Sequence, residues 1–258
     1  MLNVQRVRTG IPGFDNLIQG GFYPSSLNMI TGGPGAGKTI FALQFIWSGA
    51  VSYGERGIYV SFEQSKQDLI EDARAFGWDF EELERLGRAK IIYHSPYDLK
   101  RFSKGLAEEI EEFKARRIVF DSSSVLGLAL KDEFQVRKFL FEIQKLIKKF
   151  GCTGLITTEI IGGAPIDSNG GTLSRFGVEE FICDSVTSLH YGGLGGESDR
   201  MIRVLKIRRT KQIRDLITMN ITDRGIVVDS SSVDNKIAAS TFSTNPLMNA
   251  NLEKKQFN

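Results

Sequence analysis

Lys38 and Thr39 close the stretch Gly32-Gly33-Pro34-Gly35-Ala36-Gly37-Lys38-Thr39, which satisfies G-x-x-x-x-G-K-[ST] at every fixed position. Those residue types suit one task, the binding of a nucleotide's phosphates. Glycines let backbone N–H groups close around several negative charges, because no Cβ blocks the approach. The helix that follows points its positive end at the same charge. Lys38 adds a mobile cation toward the outer phosphates, and Thr39 offers a hydroxyl to Mg²⁺. Gly33, Pro34, Gly35, Ala36, Gly37, Lys38, Thr39 and Ile40 are therefore the candidate nucleotide-binding residues.

Turnover of a nucleotide needs further groups. Asp121 ends the apolar run Arg117-Ile118-Val119-Phe120. A carboxylate there suits the water shell of Mg²⁺, or simply caps the next turn. Glu63 follows the run Ile58 to Phe62 and is a candidate base for the attacking water, or an acid at a helix N-terminus. Thr157, Thr158 and Glu159 end another such run and could sense the outermost phosphate. Lys206 and Arg208 lie two apart on a strand-like run, so they point to one face. With Arg203, Arg209, Lys211 and Arg214 they form a basic cluster. Such a cluster guards a sheet edge, contacts nucleic acid, or supplies cations to a neighbouring subunit's nucleotide.

The elements that must position these groups can be read from periodicity. An apolar strand (Leu27 to Ile30) precedes the glycine stretch, and a helix apolar nearly all round (Thr39 to Ala50) follows it, so that helix is expected to be buried. The turn-rich opening, Thr9 to Asp15 and Gly20 to Pro24, is expected to pack across the sheet edge. Strands at 58–62, 91–92, 117–121 and 155–159 alternate with helices after Ser65, at 79–86, at 103–115 and from Val136 to Phe150. That alternation predicts a parallel sheet covered on both faces. Runs at 182–190, 201–208, 214–221 and 225–228, separated by short turns, predict an antiparallel meander at one edge. Residues 162–177 form a loop long enough to imply a function or disorder.

Composition narrows the class. The chain has 258 residues, 41% hydrophobic and 25% charged, with a net charge of +2, so bulk charge names no partner. The first ten residues lack the apolar core of a signal peptide, and no apolar run approaches a membrane span. Cys152 and Cys183 read as buried free thiols within strand-like runs, which fits a cytoplasmic protein. Two cysteines and two histidines far apart make a cysteine-bound metal a poor fit. The guanine signature N-K-x-D fails at Asn235-Lys236-Ile237-Ala238, which argues against a Ras-type GTPase. One domain over residues 1–229 and a polar tail over 230–258 are expected.

Several stretches together resemble the KaiC family. They are Thr9 to Asp15, Gly32 to Thr39, Tyr59 to Glu63 with Asp68, Ala73 to Trp78, and Arg116 to Ser122. Thr157 to Glu159, Arg175 to Phe181, Leu205 to Arg208 and Ile221 to Gly225 continue the series in the same order. The likeness is greatest to single-domain archaeal KaiC-like ATPases, relatives of the recombinases RecA and RadA. It implies an α/β fold of the RecA-like P-loop NTPase type: a mostly parallel central sheet flanked by helices, ending in an antiparallel meander. It also implies a ring, usually hexameric, with ATP and Mg²⁺ between subunits. On that likeness Glu63 matches the catalytic glutamate, and Thr39 with Asp121 holds the metal. Lys206 and Arg208 match the cations that reach a neighbour's phosphates. Thr210, Thr222 and Asp223 match contacts to the nucleotide from that second subunit. Two features depart from the clock relatives. Gln64 stands where they carry a second consecutive glutamate, which implies low turnover, and Glu179-Glu180 replaces a phosphorylated Ser-Thr pair.

Three functions are consistent with these residues. The first is an ATP-binding, slowly hydrolysing ring. The second is a single-stranded DNA-binding recombinase paralogue that uses the 162–177 loop and the basic cluster. The third is a nucleotide-gated scaffold that hardly turns over.

Overall fold

A computed structural model describes residues 4–99, 101–130, 132–160, 173–192 and 200–231. Its strands are β1 Leu27–Gly32, β2 Gly57–Ser61, β3 Ala89–Tyr93, β4 Arg117–Asp121, β5 Thr153–Glu159, β6 Ser185–Tyr191, β7 Arg200–Ile207, β8 Ile217–Thr222 and β9 Gly225–Val228. Its helices are α1 Phe14–Leu17, α2 Lys38–Ser52, α3 Lys66–Arg74, α4 Phe80–Arg85, α5 Phe102–Phe113, α6 Glu133–Phe150 and α7 Glu179–Ile182. The strands form one sheet in the order β3-β2-β4-β5-β1-β6-β7-β8-β9. The pairs from β3 to β6 are parallel, and those from β6 to β9 are antiparallel. The fold is thus the expected mostly parallel sheet with an antiparallel meander at one edge.

Strands β1, β2 and β4 are buried at every position. That explains their continuous apolar runs, since helices cover both faces. One face carries α2, α3, α4 and the opening segment, with Phe41, Phe45, Ile46, Leu69, Phe80 and Val119 in its core. The other carries α5, α6 and α7, with Leu106, Ile110, Phe120, Leu140, Ile143 and Ile182. Helix starts are fixed by side chains that accept orphan N–H groups. Ser65 accepts from Asp68 N, Asp79 from Glu82 N, and Asp132 from Gln135 N. Gly151 ends α6 at a φ of +67°, a region that favours glycine.

The opening segment does meet the sheet edge: Pro12 O accepts from Val228 N at 2.9 Å, on β9. It also buries Phe14 and Phe22 edge-on against Phe41 and Phe45 of α2. Beneath it lies Arg117, fully buried. Its guanidinium donates to Glu55 (2.6 Å), Phe45 O (2.8 Å), Arg8 O (2.7 Å) and Thr9 O (3.3 Å), and stacks on Phe45. Both cysteines are free and buried, but neither lies in a strand: Cys152 directly precedes β5 and Cys183 caps α7. Burial lifts the Cys152 thiol to about 11 and the Cys183 thiol higher still. The 162–177 loop lies largely outside the described residues, as does the tail from residue 232.

Candidate functional site

Strand register gathers the candidate groups at one sheet edge. Gly32 lies opposite Glu159, and Ser61 lies opposite Asp121. The segments leaving β1, β2, β4 and β5 therefore emerge together at the carboxyl ends of parallel strands, where ligands bind in such sheets.

The glycine stretch turns from β1 into α2. Gly35 and Gly37 have φ of +71° and +99°, which only glycine adopts readily. A Cβ on Gly33 would meet nothing within 4 Å, so the loop's inner wall is open to a ligand. Lys38 Nζ donates to Gly32 O and Gly33 O at 3.0 Å each, folded over that wall. Burial lowers its pKa, while Glu159, Asp121 and Glu63 pull the other way. Those three carboxylates thus lie close enough for their charge to be felt at Lys38.

Asp121 collects hydroxyls from three elements. Thr39 Oγ1 donates to its Oδ2 at 3.0 Å, Tyr59 donates to the same oxygen, and Thr157 donates to Oδ1. Tyr59 is fully buried, and burial followed by the Asp121 charge raises its pKa well above the ordinary value, so it remains a donor. No cluster of three or more His, Cys, Asp or Glu able to hold a metal occurs among the described residues. One carboxylate and one hydroxyl fit Mg²⁺, which keeps waters and takes phosphate oxygens. They do not fit a cation caged by protein alone. Thr39 and Asp121 would hold that ion, whose charge would offset that of the phosphates.

Glu63 is exposed just beyond β2, and its Oε2 accepts from Ser122 Oγ at 3.3 Å, next to Asp121. Gln64 turns the other way: its Nε2 donates to Asp72 Oδ2 at 3.3 Å. Between these two positions only Glu63 directs a carboxylate to the Asp121 side.

Lys206 and Arg208 lie elsewhere. Strand β7 ends at Ile207, so Arg208 is one residue past it, although its N–H still donates to Asp184 O at 2.8 Å. Val186 faces Lys206 while Thr187 faces Val204, so Leu205 is extra. This bulge turns Lys206 to the same face as Leu205 and Arg208. Lys206 Nζ donates to Glu180 O and Cys183 O at 2.8 Å each, and Arg208 Nη2 to Phe181 O at 3.1 Å. Ile207 lies opposite Ser185, and Ser185 opposite Asn28, four residues before Gly32. At ~3.3 Å per residue that is about 13 Å from the start of the phosphate loop, toward the other end of the sheet. Thr210 stays with this group, donating to Arg208 O at 3.2 Å and accepting from Arg6 at 2.6 Å. Thr222 and Asp223 do not. Thr222 ends β8 and Asp223 begins the turn to β9, where Ile221 and Ile226 reach within 3.3 and 3.7 Å of a Cβ on this chain's own Gly37.

A family model described as the KaiC ATPase matches residues 7–233. The chain belongs to the KaiC ATPase family. It is a RecA-like ATPase domain of KaiC type. A solved KaiC-like protein from the hyperthermophilic archaeon Pyrococcus horikoshii OT3 is similar at 37% identity, with a TM-score of 0.77 over 87% of this chain and 99% of that one. The circadian clock oscillator protein KaiC of Synechococcus elongatus is 33% identical over 233 residues, 86% of this chain and 44% of that protein. Its counterpart in Prochlorococcus marinus is 31% identical over 88% of this chain and 45% of the relative. The chain thus spans less than half the length of these clock relatives.

Within this KaiC-type domain, some residues near the loop carried little sequence signal. Tyr59 looks like any apolar strand residue, and only its contact with Asp121 sets it apart. Arg200 Nε donates to Gly35 O at 3.3 Å, and its guanidinium stacks on Tyr191, whose ring lies beside Gly35. Glu179 is a fully buried carboxylate behind the site. Its sequence signal was two consecutive acids, Glu179 and Glu180, between apolar Val178 and Phe181-Ile182, with nothing in the residue types to say which one is buried.

Proposed function

We propose that this KaiC-type domain binds ATP with Mg²⁺ and hydrolyses it slowly, at sites shared between adjacent copies in a ring, hexameric as in its resemblance. The observation that carries this reading is the separation of Lys206 and Arg208 from their own phosphate loop. Held about 13 Å along the sheet, they suit a neighbour's phosphates rather than their own. In this reading the loop's N–H groups, the N-terminus of α2 and Lys38 hold the phosphates. Thr39 and Asp121 hold the metal, and Glu63 orients the attacking water. The neighbour's Lys206 and Arg208 meet the charge that develops on the transferred phosphoryl group. Thr210 supports that pair. Thr222 and Asp223 line the nucleotide beside the β8–β9 turn. Slow turnover follows from a single carboxylate at the water, with Gln64 committed to Asp72.

The domain of this reading spans 1–229, with 230–258 as its tail. The buried free thiols support a reducing cytoplasm. No helix among the described residues is long and apolar enough to cross a membrane. The basic cluster gives single-stranded DNA little support, since Lys206 and Arg208 donate to backbone carbonyls and Arg203 Nε to Arg214 O.

The test measures phosphate release and particle mass together, with and without single-stranded DNA, for the wild type and Arg208→Ala. The reading expects a ring that turns over, and an Arg208→Ala ring that keeps ATP and loses turnover. A monomer that hydrolyses ATP overturns it. A filled ring with no phosphate release favours a scaffold. A salt-sensitive complex with DNA favours the recombinase reading.

A further inference from the structure

Helix α7 has four residues, too few to hold its own shape, so contacts at its ends decide where it lies. At its start, Glu179 carries a fully buried carboxylate. Oε1 accepts from Ser123 Oγ at 3.3 Å and Thr158 Oγ1 at 3.5 Å, while Oε2 accepts from Ser174 Oγ at 2.6 Å and Val178 N at 3.3 Å. All four donors are neutral. Two of them belong to the metal side of the site. Ser123 is two residues beyond Asp121, and Thr158 follows Thr157, which itself donates to Asp121.

At its other end, α7 offers the carbonyls that every helix leaves unpaired, and their partial negative charge attracts cations. Lys206 takes Glu180 O and Cys183 O, Arg208 takes Phe181 O, and Gln144 Nε2 takes Ile182 O at 3.0 Å. One short helix therefore touches the acid side of its own site with one end and carries both remote cations on the other.

We infer that Glu179 is a positioning residue for the neighbouring subunit's reaction. It pins α7 to the segments around Asp121 and Thr157, and α7 in turn sets where Lys206 and Arg208 stand at the next site. The inference rests on the shared-site reading above, in which those cations act on a neighbour. It adds a physical link between successive sites: displacement of the Asp121 segment in one site is carried through Glu179 to the cations of the next.

The test mixes subunits at 1:1. Lys38→Ala subunits have a dead loop and intact cations. Glu179→Ala subunits have an intact loop and misplaced cations. Alone, Glu179→Ala is expected to lose about tenfold in kcat with the KM for ATP within about twofold of wild type. Mixed with Lys38→Ala, about one interface in four pairs an intact loop with intact cations, and turnover returns at those interfaces. Arg208→Ala with Lys38→Ala is the control. Rescue of both mixtures supports the inference. Rescue of Arg208→Ala but not Glu179→Ala overturns it and leaves the shared site standing. Rescue of neither removes the shared site and this inference with it. If Glu179→Ala does not assemble, Glu179→Gln, which keeps the shape and one acceptor oxygen, is mixed instead and read by the same three outcomes.

Discussion

Thr39 and Asp121 are 82 residues apart in the chain and 3.0 Å apart in space, hydroxyl to carboxylate. One is the second residue of α2 and the other ends β4, so their meeting depends on the parallel strands being in register. In the proposed reading these two residues would hold the divalent ion that accompanies the nucleotide. Asp121→Asn keeps an acceptor for Thr157 and removes the charge. Mg²⁺-dependent phosphate release is expected to fall by ~100-fold or more. The thermal midpoint should fall as well, because Thr39, Tyr59 and Thr157 lose a charged acceptor and such bonds are worth about 1.5–3 kcal/mol each. A magnesium titration of phosphate release beside a melting curve checks both halves. Unchanged magnesium dependence would remove Asp121 from the metal.

Glu63 is exposed, and its carboxylate accepts a hydrogen bond of 3.3 Å from Ser122 Oγ. Its replacement should not disturb the fold. Glu63→Gln is expected to retain ATP and the same particle mass while turnover drops by about 10²–10⁴-fold, the range of a lost general base. Equal rates of phosphate release from the two proteins would end Glu63's assignment.

The alkaline limb of activity tests the environment of Lys38. Burial lowers its pKa below the ordinary 10.5, so the ammonium loses its proton earlier as pH rises. Phosphate binding needs the charged form. The kcat/KM for ATP, which reports the free enzyme, should therefore begin to fall below pH 10.5. Lys38→Arg, if it binds at all, carries a guanidinium that stays charged and should lack this limb. A limb identical in the two proteins would assign it to another group.

Arg117 carries stability rather than chemistry. Its buried guanidinium joins Glu55 to three backbone carbonyls of the opening segment and α2. Arg117→Ala leaves those acceptors unpaired and should destabilise the fold by about 3–5 kcal/mol. Arg117→Lys should recover only part, since one ammonium cannot span the same fork. Urea unfolding of the three proteins measures this, and a loss under 1 kcal/mol would contradict the estimate.

What could be read from the chain follows from how local each signal is. The loop from Gly32 to Thr39 is eight consecutive residues whose types are dictated by phosphate chemistry, so it needs no fold to be recognised. The sheet was legible because apolar runs alternate with helical periodicity and both faces are covered. Asp121 and Glu63 were visible as acids at strand ends, and the register then brought both to one edge. Other features depend on distant partners. Tyr59 becomes distinctive only by touching a residue 62 positions away, and Glu179 only by reaching back to Ser123 and Thr158. The bulge at Leu205 inserts a residue without any glycine to mark it. The resemblance names Thr222 and Asp223 together with Lys206, and no local signal shows that their β8–β9 turn follows Ile221, which reaches Gly37, while Lys206 is held farther down the sheet.

The contact between Pro12 and Val228 ties the opening segment to the last strand, and Asn16 Nδ2 with Ser230 Oγ at 3.0 Å adds a second link between the two ends of the fold. Topologically the domain is nearly a closed loop. Two copies can follow one another on a single polypeptide with a short connector and no threading. The same closure allows a circular permutant, joined at these ends and opened at an exposed turn, to keep every strand pairing. Duplication in tandem is thus a small step for this architecture.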